Sequence, residues 1–578
     1  MCSGESMALV LCDQRRRLLA TDGNILVRGG AGSGKTTIAL AKACADLAAD
    51  KLGPSGKALF LSFARATVAR VAEQATATIP REQMSRIEIN TYHGFAWTVL
   101  KSHAYLLSAR QGVSLLLPAQ ARDRLAGLDG DARVARQRQL FDEEGLIAFD
   151  LFPTLLTELF ARVPVLARAY GGAYPLIIVD EFQDTNAEEW AMISQLGGHS
   201  RLIALGDPKQ RIYDFKGADP RRFDEFIAAF RPTEFDFLGE NRRSAGTDIT
   251  LFADAVIDGA FRPQPYAGVT VTAYPGQSLR PLKQEVLRAV GRLRRAPEWS
   301  LAILVPANVL AVNVFDYMAR AEHGLPSYPV EIIVAAEGPM LAGALIALLL
   351  EPQSDNEPVG AHILEALAAF ELGRNETASG GAITKAARLR TLGRAVRTRG
   401  DAGFGARGVG PGVRQLIADV GALVFTGDPM TDWRAVRAAL AASPREELQA
   451  VAREARHMRL LRRGAQIEAR LAESWRTHGA YRNARELLRA AVVEDQFAAT
   501  TRPHRGVTVM TIHKAKGKEF DEVIVFEGAF QRYLQPRGAD AERSARFNLH
   551  VAATRARRAV MIMTPSRDPC RLLQGVAG

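Results

Sequence analysis

The stretch Leu176-Ile177-Ile178-Val179-Asp180-Glu181-Phe182-Gln183-Asp184-Thr185-Asn186 decides how this sequence folds. Its four consecutive apolar residues are typical of a parallel β-strand that is buried on both faces. Two carboxylates, Asp180 and Glu181, follow where the strand would end. Carboxylates in this position suit a site that holds Mg²⁺ and polarises an attacking water. The stretch therefore predicts an α/β domain with a hydrolytic site at the exit of one strand.

An upstream glycine-rich segment, Gly29-Gly30-Ala31-Gly32-Ser33-Gly34-Lys35-Thr36, fits the pattern G-x-x-x-x-G-K-[ST]. It follows a predicted strand and precedes a helical pattern that begins at Thr37. Backbone N–H groups of such a loop surround phosphate oxygens, and the helix N-terminus adds its dipole. We expect Lys35 to reach the β- and γ-phosphates and Thr36 to share Mg²⁺ with Asp180. Glu181 would orient and deprotonate the water. Residues 29–37 are thus predicted to bind a nucleotide.

Bulk properties restrict the class of protein. A chain of 578 residues is too long for one hydrophobic core, and three or four domains are expected. Its net charge of +11 favours a polyanionic partner. The four cysteines form no Cys-x-x-Cys pair, which argues against a disulfide framework, structural zinc or an iron–sulfur cluster. Without a signal peptide or an apolar run long enough to span a membrane, the sequence predicts a cytoplasmic protein.

The order of apolar and helical patterns predicts two α/β units, each interrupted by a helical insert. Short strand-like runs occupy the first and last parts of the chain, and helical stretches rich in Ala, Leu and Arg lie between them. The boundaries that we expect are residues 1–94 and 172–232 for the first core, 95–171 for its insert, 233–340 and 500–578 for the second core, and 341–499 for the second insert.

Further segments, in a fixed order, resemble the UvrD/Rep group of superfamily 1 DNA helicases. Ser62-Phe63 resembles the family's Thr-Phe segment, and Thr91-Tyr92-His93-Gly94-Phe95 resembles T-F-H-x-F. The remaining matches are Gly206–Ala218 with G-D-x-x-Q-S-I-Y-x-W-R-G-A, Asn241–Ser244 with N-Y-R-S, Thr511–Asp521 with T-I-H-K-A-K-G-L-E-F-D, and His550–Ala556 with Y-V-A-L-T-R-A. A P-loop alone does not separate a kinase from a motor, and it is this resemblance that decides for the motor.

The resemblance implies two RecA-like P-loop NTPase domains that hydrolyse ATP with Mg²⁺ at their interface. Gln14 would read the adenine, Glu519 would contact the ribose, and Gln210 would sense the γ-phosphate. Arg243 and Arg555 would act as arginine fingers, because a guanidinium brought in by closure neutralises charge on the γ-phosphoryl group. Single-stranded DNA would be contacted by residues that offer a stacking face or bind the backbone, namely Phe63, Thr91, His93, Phe215, Lys216 and His513.

Three departures from the family pattern bear on ligand binding. Arg242 stands where the family has a tyrosine that stacks on adenine, and a guanidinium plane can also stack on a base, without a preference for adenine. Phe215 replaces a tryptophan and keeps a smaller stacking face, and Lys216 replaces an arginine without its bidentate fork.

For Phe63 and Tyr92, packing in the core is as good an interpretation as contact with DNA. An arginine-rich region over residues 453–476 suits either a grip on duplex DNA or a solvated helix face.

These observations predict an ATP-dependent DNA helicase that moves 3′ to 5′ on single-stranded DNA and unwinds duplex DNA. The direction follows from the resemblance of Gln183-Asp184-Thr185-Asn186 to one branch of the superfamily. One alternative is a DNA-stimulated ATPase module that unwinds little and works with a separate nuclease in repair or anti-phage defence. The other is a P-loop kinase for a small molecule, which would show no DNA stimulation. A membrane partner and an iron–sulfur cluster are not expected.

Overall fold

The structure is a computed structural model, which describes part of the 578-residue chain. The described residues are 12–30, 32–63, 65–108, 112–208, 219, 221–237, 243–276, 278–333, 337–352, 358–374, 379–456, 466–497, 504–529 and 538–576. They divide into two compact units. The first unit draws on Met1–Val99, Pro153–Val334 and Ala499–Gly578, and the second on Leu100–Phe152 and Ala335–Ala498.

Strands are numbered in chain order. They are β1 (Ile25–Gly29), β2 (Ala58–Ser62), β3 (Ile87–Thr91), β4 (Ser114–Leu116), β5 (Leu146–Ala148), β6 (Leu176–Val179), β7 (Arg201–Gly206), β8 (Thr233–Phe237), β9 (Val269–Tyr274), β10 (Ser300–Val305), β11 (Glu331–Ile333), β12 (Gly506–Thr511), β13 (Phe520–Phe526) and β14 (Ala556–Pro565).

Helices are numbered in the same way. The first half of the chain has α1 (Asp13–Ala20), α2 (Lys35–Ala48), α3 (Arg65–Thr78), α4 (Arg81–Met84), α5 (Tyr92–His103), α6 (Pro118–Arg124), α7 (Gly130–Glu144), α8 (Phe152–Arg162), α9 (Pro164–Ala173), α10 (Ala187–Gly197), α11 (Arg222–Phe230) and α12 (Ile249–Asp258). The second half has α13 (Arg280–Leu293), α14 (Asn308–Met318), α15 (Glu337–Leu350), α16 (Val359–Gly373), α17 (Gly380–Arg399), α18 (Val409–Gly421), α19 (Pro429–Ala442), α20 (Glu446–Ala455), α21 (Gln466–His478), α22 (Ala484–Phe497), α23 (Ile512–Ala515) and α24 (Ala539–Ala553).

The first unit contains two six-stranded sheets, and every strand pair in them is parallel. The first sheet has the order β3-β2-β6-β7-β1-β8, and the second has the order β11-β12-β10-β13-β14-β9. In the first sheet β7 lies between β1, which leads into the glycine-rich loop, and β6, which ends at Asp180. The carboxyl ends of parallel strands meet at one edge, so this order brings the loop and the carboxylates to the same edge. The chain is therefore mixed α/β with parallel sheets.

Helices cover both faces of each sheet, so the central strands are mostly apolar. β6 and β10 are buried at every position, as the uninterrupted apolar runs predicted. In the first sheet Ile25, Phe60 and Ile178 share one core cluster. In the second sheet Leu304 and Leu301 of β10 point to opposite faces, and each belongs to a separate core cluster. The core clusters on the two sheets thus hold the strand ends in place.

Two boundaries in the structure differ from the expected ones. Strand β8 pairs in parallel with β1, so it extends the first sheet, although the sequence analysis assigned residues from 233 onward to the second core. In β8 only Phe235 and Phe237 are buried. An edge strand that alternates buried and exposed residues lacks the continuous apolar run on which the assignment rested. In addition, α9 and most of α8 lie in the first unit rather than in an insert.

The second unit is mainly helical and combines chain from both expected inserts. It contains α15 to α22 together with α6, α7 and the short parallel pair of β4 and β5. Leu364 and Leu367 on α16 are fully buried, and α16 packs against α17 and α6. Across the described residues, none of the helices is both long enough and apolar enough to cross a membrane.

A buried ion pair in the first unit gives a test of this fold. Lys42 Nζ lies 2.7 Å from Asp46 Oδ1, and each side chain is 1% exposed. Asp46 also accepts a hydrogen bond from Arg201 on β7. We expect Asp46→Ala to lower the free energy of unfolding by about 3–5 kcal/mol, because it leaves Lys42 buried without its carboxylate. Urea unfolding followed by circular dichroism measures the change.

The matched control is Asp22→Ala, which removes the carboxylate of the solvent-exposed pair with Lys51. Water screens an exposed pair, so the control should shift the unfolding curve far less. Equal shifts for the two variants would contradict the role given to the buried pair.

Candidate active site

The glycine-rich loop leads from β1 into α2 and has the backbone shape of a phosphate cradle. Gly32 and Gly34 have φ values of +77° and +86°, which side-chain-bearing residues rarely adopt. A Cβ on Gly29 would lie 2.5 Å from Ser33 Oγ, so a side chain there would displace the serine hydroxyl. Lys35 Nζ donates to the carbonyl oxygens of Gly29 at 2.5 Å and Gly30 at 3.0 Å. The lysine side chain therefore folds back over the loop.

The donor set of this loop suits an anion. Ser33 is 1% exposed, and its Oγ has no hydrogen-bond partner among the described residues. A buried hydroxyl of this kind costs free energy unless a ligand or water satisfies it. No side chain caps the N-terminus of α2, which begins at Lys35 and has no acidic residue in its first turn. Unsatisfied N–H groups, a hydroxyl and an ammonium group together fit a phosphate.

The two carboxylates at the exit of β6 lie in different surroundings. Asp180 is 4% exposed, and Ser62 Oγ lies 3.4 Å from its Oδ2. Glu181 is partly exposed and accepts a hydrogen bond of 2.6 Å from Gln183 Nε2. Its φ of +55° is left-handed, a backbone conformation that costs free energy for a residue other than glycine. This turn directs two adjacent carboxylates out of the end of one strand.

Burial and neighbouring charges set the pKa values of these carboxylates apart. Burial, followed by the negative charge of Glu181, raises the pKa of Asp180 to about 7, although Lys35 and Arg70 oppose the rise. Burial alone would also raise the pKa of Glu181, but the positive charges of Lys516 and Lys35 outweigh it and hold the pKa below its usual value. A carboxylate that stays ionised is the one suited to accept a proton from water.

The carboxylate turn is linked to the second sheet. Lys516, which follows α23, forms a buried ion pair with Asp184, and the two side chains are 3% and 0% exposed. Gln183 Oε1 accepts a hydrogen bond of 3.0 Å from the backbone N–H of Asp207, just after β7. The four residues Phe182–Thr185 are all buried. The stretch after the strand therefore joins two strand exits of the first sheet to a lysine of the second.

Arginines of both sheets meet at Glu519, which directly precedes β13. Arg243 NH2 lies 2.8 Å from Glu519 Oε1, and its NH1 donates to the carbonyl oxygen of Thr554 at 3.1 Å. Arg70 on α3 pairs with the same Oε1, and Arg557 lies 3.3 Å from Oε2. Although burial acts to raise it, these arginines, Arg243 foremost, hold the pKa of Glu519 well below its usual range. Glu519 is thus ionised and shared by three guanidinium groups.

Arg555 is the most deeply buried arginine of this group, at 2% exposed. Its Nε donates to the carbonyl oxygen of Val551 at 3.0 Å, and its NH2 donates to Thr554 Oγ1 at 3.1 Å. Burial and the nearby charge of Arg243 lower the pKa of Arg555 to about 9, so the side chain keeps its charge at neutral pH. The attraction of Glu181 and Glu519 opposes this decrease. Arg555 therefore lies close enough to the carboxylates of both sheets to interact with their charges.

The remaining residues expected to bind nucleotide are placed as follows. Gln14 is partly exposed on α1, and its Nε2 donates to the backbone carbonyl of Asp236 at 3.0 Å. Thr36 follows Lys35 in the first turn of α2, and Thr37 Oγ1 accepts a hydrogen bond from Gln74 on α3. Three of the expected residues, Ala31, Gln210 and Arg242, lie outside the described residues. Their roles stay predictions.

The residues expected to bind DNA are distributed over both sheets of the first unit. Phe63 is partly exposed and packs on Tyr92, with ring centroids 4.5 Å apart. Tyr92 itself is 1% exposed and donates to the carbonyl oxygen of Asp180, which is the core position that the sequence left open. Thr91 Oγ1 accepts from the N–H of Gly94 at the start of α5. His93 and His513 are partly exposed, whereas Phe215 and Lys216 lie outside the described residues.

Three residues at this site had no assigned role in the sequence analysis. Asp184 and Lys516 lie inside segments that resemble the helicase family. Their ion pair joins two sheets, and no local sequence pattern indicates it. Arg70 is a single arginine on a helix, a pattern shared by many surface ion pairs. In residues 453–476, Arg453 pairs with Glu446 and Arg470 with Glu494, while Arg459, Arg462 and Arg463 lie outside the described residues. The described part of that region suits a solvated face.

The donor set at the strand exits bears on the expected metal. No cluster of three or more His, Cys, Asp or Glu side chains forms a metal cage within the described ranges. Mg²⁺ is usually held by one or two carboxylates, waters and phosphate oxygens rather than by such a cage. A buried Asp180 beside the Lys35 loop matches that donor set, with the Thr36 hydroxyl at the start of α2. The residues present therefore fit a Mg²⁺ ion that is shared with a nucleotide.

Comparison with known proteins identifies two sequence domains. A family described as the UvrD/REP helicase N-terminal domain matches residues 12–144 and 132–231. A family described as the UvrD-like helicase C-terminal domain matches residues 506–563. These matches include the glycine-rich loop, the carboxylates after β6 and the segment that contains Lys516, Glu519 and Arg555.

Characterised relatives match part of the chain at low identity. DNA helicase II of Haemophilus influenzae is 26% identical over 295 residues, which is 43% of this chain and 40% of that protein. The ATP-dependent DNA helicase PcrA of Staphylococcus aureus is 24% identical with the same coverage. DNA helicase II of Escherichia coli is 24% identical over 291 residues, or 42% of this chain and 40% of that protein. The matches thus span about 40% of the length of these relatives.

The raised pKa of Asp180 predicts how pH changes the stability of the metal-free protein. The pKa of Asp180 in the folded state, about 7, lies above the ordinary value of 3.8. The folded state therefore keeps this proton up to a higher pH than the unfolded state does. The stability that this group contributes is complete below about pH 4 and is lost as the pH rises through 7. Asp180→Asn avoids that loss. Its thermal midpoint in EDTA should therefore exceed that of the wild type by more at pH 8 than at pH 5.

Asp258→Asn, at an exposed position in the same unit, is the control for the chemical change itself. Calorimetry at pH 5, 6.5 and 8 gives the three differences in midpoint. A difference between Asp180→Asn and the wild type that stays constant over this range would show that burial does not hold the proton on Asp180.

Proposed function

Because the chain belongs to the UvrD-like family of superfamily 1A helicases, we propose that it is an ATP-dependent DNA helicase. In this proposal it moves 3′ to 5′ along single-stranded DNA and unwinds the duplex ahead of it. The two sheets of the first unit act as RecA-like cores, and the helical second unit supplies their inserts. ATP binds between the cores, where strand exits of the first sheet meet Glu519 and Arg555, which precede β13 and β14 of the second sheet.

One observation carries this proposal, namely the convergence of opposite charges from two parallel sheets. Lys35 and the carboxylates Asp180 and Glu181 come from the first sheet, while Arg243, Arg555 and Glu519 come from the second. The ion pairs Arg70–Glu519 and Lys516–Asp184 show that the two groups are in contact. An ATPase assembled from two bodies can convert the presence of the γ-phosphate into closure, which is the coupling that a motor requires.

Each residue has a chemical part in this proposal. Lys35 and the loop N–H groups hold the phosphates, and Glu181 accepts a proton from the attacking water. Bound Mg²⁺, held at Thr36 and Asp180, would neutralise charge on the β- and γ-phosphates. Arg243 and Arg555 stabilise the charge that develops on the γ-phosphoryl group, where a desolvated guanidinium is most effective. Phe63, His93 and His513, with Thr91, border the path proposed for single-stranded DNA.

The motor is further defined by its direction of movement and by the extent to which it unwinds the duplex. The direction rests on the resemblance of Gln183-Asp184-Thr185-Asn186 to the 3′-to-5′ branch of the superfamily. A DNA-stimulated ATPase that works with a separate nuclease would use the same ATP site but would displace little strand. The two functions therefore differ in strand displacement and not in ATP hydrolysis.

Strand displacement on partial duplexes with a 3′ or a 5′ single-stranded tail tests the function. We expect ATP-dependent displacement with the 3′ tail only, and DNA-stimulated ATP hydrolysis with both. Lys35→Ala should lose displacement and hydrolysis while it keeps DNA binding, because only the phosphate contact is removed. Stimulated hydrolysis without displacement on either substrate would favour the ATPase-module alternative. Hydrolysis by Lys35→Ala at the wild-type rate would contradict the site itself.

The helical unit offers a surface for the DNA backbone. Helix α17 carries Lys385 and five arginines and has no Asp or Glu. Lys385 pairs with Glu371, and Arg390 with Glu365 and Asp123. The other four arginines, Arg388, Arg394, Arg397 and Arg399, are exposed and form no ion pair with any carboxylate that the structure describes. We infer that this face binds phosphates of DNA, which attract unpaired arginines irrespective of sequence.

The salt dependence of DNA binding measures this contact. Each phosphate contact contributes about 0.9 to the slope of log K against log salt concentration for duplex DNA. We expect Arg394→Gln/Arg397→Gln to reduce the slope by roughly twice that value, with a similar loss of affinity for unrelated sequences. The control Arg294→Gln/Arg295→Gln removes two exposed arginines from the first unit. An equal change of slope in the control pair would remove the support for α17 as the contact.

A further inference from the structure

Arg70 links the two sheets in a way that the expected catalytic residues do not explain. It lies on α3, which follows β2 of the first sheet, and its NH1 pairs with Glu519 Oε1 at the second sheet. The side chain of Arg70 is 33% exposed and that of Glu519 is 16% exposed. The charge of Arg70 also acts on Asp180 at the exit of β6, where partial burial screens it less than on the surface. Arg70 therefore acts inside the proposed ATP site.

Arg70 and Arg243 share a single oxygen of Glu519. Arg243 NH2 lies 2.8 Å from Oε1, the atom that also accepts Arg70, while Arg557 is bound to Oε2. Two guanidinium groups at one oxygen repel each other, so each weakens the hold of Glu519 on the other. In keeping with this geometry, burial first and then the charge of Arg70 lower the pKa of Arg243, against the attraction of Glu519. Arg70 therefore weakens the ion pair between Arg243 and Glu519.

We propose that Arg70 is a positioning residue that holds Glu519 and so releases Arg243 for the γ-phosphate. This inference rests on the proposed function, since it assigns a partner to the arginine finger of that same site. When the finger moves to the phosphate, Arg70 and Arg557 remain to neutralise Glu519. Glu519 therefore keeps its cations when Arg243 leaves. If this largely buried carboxylate were left without a cation, it would oppose the movement of Arg243.

The position of Arg70 explains why it acts through Glu519 and not directly on the nucleotide. Arg243 and Arg555 approach from the second sheet, and Lys35 rises from the loop after β1. Arg70 instead has its guanidinium at the carboxylate that restrains the finger. Removing it leaves Oε1 to Arg243 alone, and the finger is then held more tightly in its resting contact. The expected defect is in turnover rather than in nucleotide affinity.

The test is steady-state ATP hydrolysis with single-stranded DNA, measured on the full chain. Arg70→Ala should lower kcat about tenfold, which corresponds to a coupling within the usual range for contacting charged residues, and should leave KM within about twofold. Arg70→Lys keeps a cation at Oε1 and should recover most of the rate. Arg81→Ala, at an exposed position on α4, is the matched control and should retain wild-type kinetics.

A double-mutant cycle separates positioning from a general loss of structure. Glu519→Gln removes the charge that restrains Arg243, so adding Arg70→Ala to it should cause little further loss of kcat. The same tenfold loss in both backgrounds would overturn the proposal, as would a higher KM with unchanged kcat in Arg70→Ala. Failure of the proposed function has a different result, because the wild type would then hydrolyse no more ATP than Lys35→Ala does.

Discussion

The crowding of two adjacent carboxylates at the exit of β6, with Asp180 buried and Glu181 partly exposed, is the constraint on which the rest of the site depends. Asp180 is 4% exposed, and a buried carboxylate is costly unless cations or hydrogen bonds compensate its charge. One sheet supplies only part of that compensation, through Lys35 and Arg70. The negative charge of Glu181 is compensated in addition by Lys516 and Arg555 of the second sheet. The need to neutralise one strand exit thus gives an electrostatic reason for two α/β bodies to meet there.

The first sheet and the phosphate loop were predictable because their signals are local. A parallel strand that is buried on both faces is mostly apolar, so β6 and residues 301–305 of β10 were recognisable as uninterrupted apolar runs. The loop requires glycines where φ is positive, at Gly32 and Gly34, so its pattern specifies its shape. In both cases the residues that produce the geometry are neighbours in the chain. The sequence therefore holds the whole cause of the local structure.

The contacts between the two sheets were not predictable in the same way. Lys516 and Asp184 are far apart in the chain, and the residues around each of them do not indicate which residue it pairs with. Arg70 reaches Glu519 only because β2, which precedes its helix, and β13, which follows Glu519, are positioned by separate cores. Strand β8 was assigned to the wrong core for a related reason, since an edge strand buries only alternate residues. Long-range pairing depends on topology, which a local pattern does not specify.

The charge balance of the assembled site favours a ligand that brings negative charge. Six cations meet four carboxylates there, namely Lys35, Arg70, Arg243, Lys516, Arg555 and Arg557 against Asp180, Glu181, Asp184 and Glu519. The lowered pKa values of Arg243 and Arg555 reflect burial and the mutual repulsion of these cations. A polyphosphate relieves that repulsion, and it does so most where Arg243 and Arg70 compete for one oxygen. Because the cations come from both sheets, relief of their repulsion is felt by both at once, which is how occupation of the site would draw the two bodies together.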